Sequence, residues 1–261
     1  MDRHLDFKKE CEKEIRIMSG SDEFTKCTRD WLNTANSLKY SYHYNWLGRP
    51  IIQYPQDIVA MQEIIWNVKP DLIIETGIAH GGSLIFSASI LALLDMCDAI
   101  ETNQMLDPKR SKRKVVGIDI DIREHNLKAI QMHPMFSRIE MIEGSSIDPS
   151  IVSQVEKIAS EYTNILVCLD SMHTHDHVLA ELEVYAPLVS KGSYCVVFDT
   201  IIEDLPKDMF PDRPWSKGNN PKTAVWEYLK KNSDFEIDKM IDSKLAITVA
   251  PDGYLKRIES K

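Results

Sequence analysis

The chain of 261 residues is long enough for one large domain or for one domain with a small appendage. Its net charge of −9 argues against a general nucleic-acid binder, and no segment reaches the roughly 18 uninterrupted apolar residues of a membrane span. The five cysteines form no Cys-x-x-Cys pair and the N-terminus lacks the apolar core of a signal peptide, so we expect a cytoplasmic protein without disulfides.

Residues 1–54 are predicted to form a helical and aromatic extension. Spaced apolar positions among charges in the first 40 residues indicate two short helices, broken near Ser19-Gly20-Ser21. Residues 40–50 are rich in tyrosine and tryptophan and contain turn residues, which fits either a packed arm or a pocket wall. This aromatic segment would also allow self-association into a homo-oligomer.

Residues 55–261 are predicted to form one α/β domain. A helix follows Pro55, with an apolar face that consists of Ile58, Val59, Met61, Ile64, Ile65 and Val68. Apolar runs then alternate with helical patterns: strands at 71–75, 115–118, 138–142, 165–169 and 193–198, and helices near 82–96, 123–132, 149–160 and 174–187. This alternation predicts a mostly parallel sheet with helices on both faces. A final hairpin at 235–240 and 245–250 would add an antiparallel strand, and the proline-rich loop 201–222 is too long for a simple connector.

The first strand of this domain ends at Glu75 and leads through a glycine-bearing turn into a helix. The glycines follow neither the dinucleotide pattern G-x-G-x-x-G nor the phosphate-binding Walker pattern. Gly77 would permit a tight turn, and Gly81 and Gly82 would let a ligand approach closely. Glu75 suits a ligand with a cationic group, such as the amino acid end of S-adenosylmethionine; an ordinary glycine turn is the alternative.

The next two strands also end in polar residues. Asp119, followed by Asp121, could accept both hydroxyls of a ribose, because ligands of such sheets bind beyond the carboxyl ends of the strands. Its distance from the glycine turn exceeds the roughly 20 residues of the nicotinamide fingerprint, so a plain dehydrogenase fits poorly. Ser145 and Ser146 are small and polar enough to flank a purine ring.

The fourth and fifth strands end in Asp170 and Asp199, which should project into the same crevice. Two carboxylates there are costly to desolvate without a cation, and Mg²⁺ prefers such oxygen ligands. Three histidines follow Asp170; His173 is the strongest functional candidate, whereas His175 and His177 could equally cap or solvate a helix. Zinc hydrolysis is a weak alternative, because no histidine follows His177.

Several segments match a known family in the same order: Tyr44-Asn45-Trp46-Leu47-Gly48-Arg49-Pro50, Pro55-Gln56-Asp57, Glu75-Thr76-Gly77 through Gly81-Gly82-Ser83, Asp170-Ser171 with His173-Thr174-His175, and Gly218-Asn219-Asn220-Pro221-Lys222-Thr223-Ala224-Val225. Between about residues 40 and 250 the chain therefore resembles the cephalosporin hydroxylase family, which includes rhamnosyl O-methyltransferases and antibiotic-tailoring enzymes. The resemblance implies a Rossmann-like class I methyltransferase with a seven-stranded sheet, which uses S-adenosylmethionine and commonly Mg²⁺.

The resemblance also implies site residues. The methionine part of the cofactor would lie against Glu75, Gly77, Ala79, His80, Gly81, Gly82, Ser83 and Asp170. Asp119 with Ile120 would take the ribose, and Ser145 with Ser146 would border the adenine. Asp170 and Asp199 would bind the metal. Phe198 departs from the family, since an acid usually stands there, so Thr200 or a water would have to complete the metal shell.

These features predict an O-methyltransferase that acts on a hydroxyl of a sugar or a glycosylated small molecule. His173 is the expected general base, because an imidazole near its ordinary pKa of about 6.5 is suited to that task. One alternative is a hydroxylase with a redox partner, although the residues offer no flavin, haem or iron constellation. The other is a non-catalytic homologue that binds the cofactor, which Phe198 suggests.

Overall fold

The computed structural model describes residues 3–258. Its first part contains the two predicted helices, α1 (Arg3–Ser19) and α2 (Asp22–Ser37), and the chain breaks between them as expected. Ser21 caps α2, since its side chain accepts a hydrogen bond from the Phe24 N–H at 3.2 Å. A 3₁₀ turn over Tyr40–His43 then leads into a hairpin of β1 (Tyr44–Trp46) and β2 (Arg49–Ile51). We call residues 44–53 the arm.

From residue 55 to residue 197 the strands and helices alternate as the sequence predicted, whereas a helix over Lys239–Leu245 stands where the sequence predicted part of a hairpin. In chain order the remaining elements are α3 (Pro55–Val68), β3 (Leu72–Thr76), α4 (Gly82–Thr102), β4 (Lys114–Asp119), α5 (Glu124–Gln131), β5 (Ile139–Glu143), α6 (Pro149–Ala159), β6 (Ile165–Leu169), α7 (His175–Tyr185), β7 (Tyr194–Val197), α8 (Pro221–Lys231), β8 (Phe235–Ile237), α9 (Lys239–Leu245) and β9 (Tyr254–Arg257). Seven strands form one sheet in the order β5-β4-β3-β6-β7-β9-β8. The first five strands of that order pair in parallel, and β9 pairs antiparallel with both β7 and β8.

The mostly parallel seven-stranded sheet with antiparallel strands at the C-terminal end is therefore confirmed. The predicted position of the last strand is wrong: it lies at Tyr254–Arg257 rather than at 245–250. The physical reason lies far away in the chain. The buried carboxylate of Asp57 accepts hydrogen bonds from the Thr248 hydroxyl and from the Val249 N–H, the latter at 2.9 Å. These contacts hold residues 248–249 as a loop on α3.

The core has two apolar layers, one on each face of the sheet. All residues of β3 and β6 are buried, as expected for central parallel strands. The helix α4 is long and apolar enough to cross a membrane by those criteria, yet half of its most apolar stretch is buried within the fold, where it packs on the sheet. The prediction that Val59 lies on the buried apolar face of α3 is wrong, because its side chain is exposed.

Candidate functional site

The glycine turn between β3 and α4 is tight because the protein itself fills the space around it. Gly77 has φ +88°, and a Cβ there would lie 2.0 Å from the carbonyl oxygen of Asp170. A Cβ on Gly82 would lie 2.1 Å from the carbonyl oxygen of Pro50. At Gly81 it would meet the side chain of Ile130. We expected that the missing side chains of Gly81 and Gly82 leave room for a ligand. This reason is wrong, because protein atoms occupy the space where their Cβ atoms would lie.

The open space lies beside the turn, in two adjoining cavities. One, of about 40 Å³, is bounded by residues 50–53, by the turn and by Asp170; the turn residues that line it are Gly77, Ile78, Ala79, His80, Gly82 and Ser83. The other, of about 30 Å³, is bounded by Glu75, Cys168 and Phe198 among others. Gln53, Ser83 and Asp170 line both. Most residues predicted to hold the methionine part of a cofactor therefore surround one space.

The arm is fastened to this turn by hydrogen bonds. The guanidinium of Arg49 donates to the carbonyl of His80 from Nε at 2.9 Å and from Nη2 at 2.6 Å. The same Nη2 donates to Oδ1 of Asn126 at 2.9 Å, and Nδ2 of Asn126 donates to the carbonyl of Ala79 at 2.9 Å. Sequence reasoning assigned no role to Arg49 or Asn126. Arg49 lies in one of the segments that resemble the family, whereas nothing in the sequence around Asn126 indicated a function.

Glu75 is a buried acid at the end of β3. Burial raises the pKa of Glu75 from 4.5 to about 8, and a hydrogen bond from Ser83 only partly opposes this. A nearby positive charge would favour the carboxylate form. The electrostatics of this position therefore suit the cationic ligand that the sequence indicated.

Asp119, at the end of β4, holds the turn from the other side. Its Oδ2 accepts hydrogen bonds from the N–H groups of Ile78 at 2.8 Å and Ala79 at 3.2 Å. Its Oδ1 accepts one from the N–H of Asp121 at 3.2 Å. A carboxylate has about four acceptor positions, so capacity for ribose hydroxyls remains. Ile120, which follows it, is exposed.

The predicted adenine-binding serines differ in their surroundings. Ser145 is partly exposed, but Ser146 is buried and its hydroxyl donates to Oε1 of the buried Glu181 at 2.5 Å. Nε2 of His177 lies 3.1 Å from the same hydroxyl, and Ser171 also donates to Glu181 Oε1 at 2.6 Å. His177 and the Ser146 hydroxyl thus belong to an internal network. A border to adenine would have to use Ser145 or the backbone.

Asp170, His173 and Asp199 come together at the ends of β6 and β7, and we call them the strand-end trio. Each offers a ligand atom, and these atoms all lie within 4.8 Å of one another. Nε2 of His173 lies 3.2 Å from Oδ2 of Asp199 and 3.5 Å from Oδ1 of Asp170. This nitrogen is buried and has no hydrogen-bond partner in residues 3–258. The two carboxylates of this group fit a divalent cation, and the imidazole beside them is free to accept a proton.

The charges of the strand-end trio are mutually dependent. Burial raises the pKa of Asp170 to about 6, and the neighbouring imidazole of His173 opposes that rise. Burial would lower the pKa of His173, but the charges of Asp199 and Asp170 outweigh it and raise the pKa. The two carboxylates therefore favour the protonated form of this imidazole, whose positive charge would partly neutralise them.

Three residues near the trio that the sequence analysis discussed have contacts within the protein. The Thr200 hydroxyl is buried and donates to the carbonyl of Pro251 at 2.6 Å, which gives it a partner within the protein. Phe198 is buried in the core and lines one cavity. His175 points away from the trio: its Nδ1 lies 2.8 Å from Oγ1 of Thr223, so it connects α7 to α8.

The long segment 201–220 reaches back over the trio. The ring of Trp215 lies 4.8 Å from the ring of His173, centroid to centroid. Asn219 and Asn220, at its end, fix both neighbouring helices: Oδ1 of Asn219 accepts from the His175 N–H at 2.9 Å, and Asn220 caps α8. Trp215 was not singled out in the sequence, although its segment was expected to be more than a simple connector.

The fold, with acids at the carboxyl ends of adjacent parallel strands beside a glycine turn, is that of a class I methyltransferase. The family model described as Rhamnosyl O-methyltransferase/CmcI matches residues 38–258. The chain belongs to this family, which confirms the resemblance seen in the sequence.

Individual relatives agree. A rhamnosyl O-methyltransferase of Mycobacterium bovis (strain BCG / Pasteur 1173P2) is 30% identical over 207 residues, which cover 77% of this chain and 73% of the relative. One of Mycobacterium leprae (strain TN) is 29% identical over 214 residues, covering 81% and 82%. A structure of CmcI with Mg and SAM has a TM-score of 0.54 and 19% identity, covers 84% of this chain and 78% of that chain, and supports the fold.

Proposed function

We propose that this chain is an S-adenosylmethionine-dependent O-methyltransferase, assisted by Mg²⁺, which methylates a hydroxyl of a sugar or of a glycosylated small molecule. The observation that carries the proposal is the strand-end trio, of which Asp170 lines the cavities beside the glycine turn. Family membership and relatives named rhamnosyl O-methyltransferase support the choice of a sugar hydroxyl as acceptor.

The cofactor is assigned to the crevice along the strand ends. The glycine turn, Glu75 and residues 50–53 hold its methionine part, in the cavities described above. Asp119 accepts from the ribose with its remaining lone pairs, and Ser145 lies on the adenine side. Because Asp119 also fixes the N–H groups of Ile78 and Ala79, ribose binding and the shape of the turn depend on one carboxylate.

The metal is assigned to Asp170 and Asp199. When bound, Mg²⁺ would supply Lewis-acid chemistry, which lowers the pKa of an acceptor hydroxyl and orients it. Phe198 contributes no ligand, and the Thr200 hydroxyl already has the Pro251 carbonyl as partner. The chain therefore provides fewer oxygen ligands than the family pattern, and we expect weaker Mg²⁺ affinity than in a relative with an acid at position 198.

His173 is assigned the role of general base. In the transfer, a bond forms between the acceptor oxygen and the methyl carbon while the methyl–sulfur bond breaks, and the hydroxyl proton moves to Nε2 of His173. The products are a methyl ether and S-adenosylhomocysteine. Holding oxygen, carbon and sulfur in line can supply on the order of 7–11 kcal/mol of the barrier reduction. Trp215 covers the imidazole and would limit access of water to it.

The division of the chain remains part of the proposal. Residues 1–54 form the helical and aromatic extension, and residues 55–261 form the methyltransferase domain. The arm contacts indicate that the extension also contributes to the site, since Arg49 binds the turn. A cytoplasmic location and a homo-oligomeric state stay predictions.

The test combines binding and turnover. Calorimetry with S-adenosylmethionine, with and without Mg²⁺, should show that the chain binds the cofactor and the metal ion. In a transfer assay with a panel of rhamnosides, at least one rhamnoside should receive a labelled methyl group. Asp199→Asn should weaken Mg²⁺ binding and abolish most transfer, whereas Asp176→Asn, an exposed acid on α7, should change neither. Cofactor binding without transfer to any acceptor would favour the non-catalytic homologue, and absence of cofactor binding would refute the proposal.

A further inference from the structure

Gln53, the last residue of the arm, is a buried side chain with half of its amide unused. Only 7% of the residue is exposed. Its Nε2 lies 3.3 Å from Oδ2 of Asp170, whereas Oε1 is buried and has no hydrogen-bond partner within the described part of the chain. A buried carbonyl oxygen without a donor is costly, so a ligand that brings a donor would bind favourably there.

The chemistry of the contact fixes which way the amide faces. A carboxylate only accepts hydrogen bonds, so the group that faces Asp170 must be the NH₂ end of the amide. The carbonyl oxygen is therefore on the other side. Gln53 lines both cavities together with Ser83 and Asp170, which places this side chain beside the space between the glycine turn and Asp170.

The surroundings select a cationic donor. Glu75 borders one cavity, Asp170 borders both, and Oε1 of Gln53 adds a third oxygen acceptor. Arg49, the nearest basic group of the arm, is committed to His80 and Asn126. An ammonium group carries several N–H donors and no acceptor, and it therefore matches three oxygen acceptors.

We propose that Gln53 is a cofactor-binding residue, whose carbonyl oxygen accepts a hydrogen bond from the α-ammonium group of the methionine part while its NH₂ group holds Asp170. The inference rests on the proposed function, because it requires that S-adenosylmethionine occupies this crevice. One side chain then connects the amino acid end of the cofactor to a metal-binding carboxylate. Gln53 lies outside the segments that carried the family resemblance.

The experiment measures binding of two ligands by calorimetry without added metal. The first is S-adenosylhomocysteine, and the second is its analogue with hydrogen in place of the α-amino group. In Gln53→Leu, which keeps the side-chain size, S-adenosylhomocysteine should bind on the order of 10-fold to 100-fold more weakly, as expected for a lost hydrogen bond to a charged group. The analogue should bind Gln53→Leu and the unaltered chain equally well.

Gln56→Leu is the matched control, because Gln56 lies in the same stretch, its Oε1 also lacks a partner in residues 3–258, and it lines neither cavity. It should leave both affinities unchanged. Gln53→Glu keeps an acceptor of the same length and should retain the preference for the amino-bearing ligand, which serves if the leucine variant does not fold.

Equal weakening of both ligands in Gln53→Leu would mean a structural role and overturn the inference. So would unchanged affinity for S-adenosylhomocysteine, with the proposed function intact. If the unaltered chain binds no S-adenosylhomocysteine, both the proposed function and this inference are refuted.

Discussion

Nε2 of His173 lies 3.2 Å from Oδ2 of Asp199, although 25 residues of sequence separate the two side chains. Asp199 follows β7 and has a left-handed backbone conformation with φ +55°. That turn brings its carboxylate beside Asp170 and the histidine that follows β6. The pair unites the predicted base with a predicted metal ligand.

Replacement of His173 tests its role as base. In His173→Ala, turnover should fall by roughly 10²–10⁴-fold, because proton removal from the acceptor hydroxyl loses its general base. The affinity for S-adenosylhomocysteine, measured by calorimetry, should stay the same. His175→Ala is the matched control and should retain turnover, since His175 contacts Thr223 rather than the trio. Equal turnover in His173→Ala would remove this residue from the mechanism.

Glu75→Gln should change how stability depends on pH. The folded chain keeps a proton on Glu75 up to about pH 8, whereas the unfolded chain releases it near 4.5. Between these values the folded state binds more protons, so the free energy of unfolding falls as pH rises. The variant should lose that part of the decline.

Urea denaturation of the cofactor-free chain between pH 5 and pH 8 measures this effect. Some slope should remain, because burial also raises the pKa of Asp57 to about 6 and that of Asp242 to about 7. Glu140→Gln, at an exposed position on β5, should behave like the unaltered chain. An identical slope in Glu75→Gln would contradict the assignment of a raised pKa.

Asp119→Ala should affect both ligand binding and the turn. The affinity for S-adenosylhomocysteine should fall, because the ribose loses its acceptor. The N–H groups of Ile78 and Ala79 also lose their partner, and the cost to stability should be about 1–3 kcal/mol. Calorimetric titration and thermal unfolding separate the two effects. An unaltered dissociation constant would refute the ribose assignment.

Gly82→Ala tests the close packing of the arm on the turn. A Cβ at this position would collide with backbone atoms of Pro50 and Ile51, so the arm must move. We expect a loss of about 1–3 kcal/mol or more in the free energy of unfolding, together with weaker cofactor binding. Gly20→Ala is the control, because a Cβ there meets nothing closer than 3.4 Å. Equal stability of the two variants would show that the arm does not rest on Gly82.

The sheet and its site edge could be predicted because they depend on local patterns. β3 and β6 are buried on both faces, so they are continuous apolar runs in the sequence. The acids Asp119, Asp170 and Asp199 directly follow such runs. In a parallel sheet the carboxyl ends share one edge, and their proximity follows from topology alone.

What could not be predicted depends on contacts between distant parts of the chain. Residues 245–250 are as apolar as a strand, but contacts with the distant, buried Asp57 help to hold residues 248–249 as a loop. The glycines at 81 and 82 indicate that no side chain fits, but not that Ile130 and Pro50 occupy the space. The roles of Gln53 and Trp215 likewise depend on segments that meet only in the folded chain.

The seating of Pro50 against Gly82 and of Arg49 against His80 has a practical consequence for protein engineering. A chimera that joins the N-terminal part of one relative to the sheet of another should place its crossover before residue 44. A junction at residue 55 would combine the β1–β2 hairpin of one relative with the glycine turn of another, and the two would not fit together. Chimeras with a crossover before residue 44 should keep their affinity for S-adenosylmethionine, and those with a junction at residue 55 should lose it.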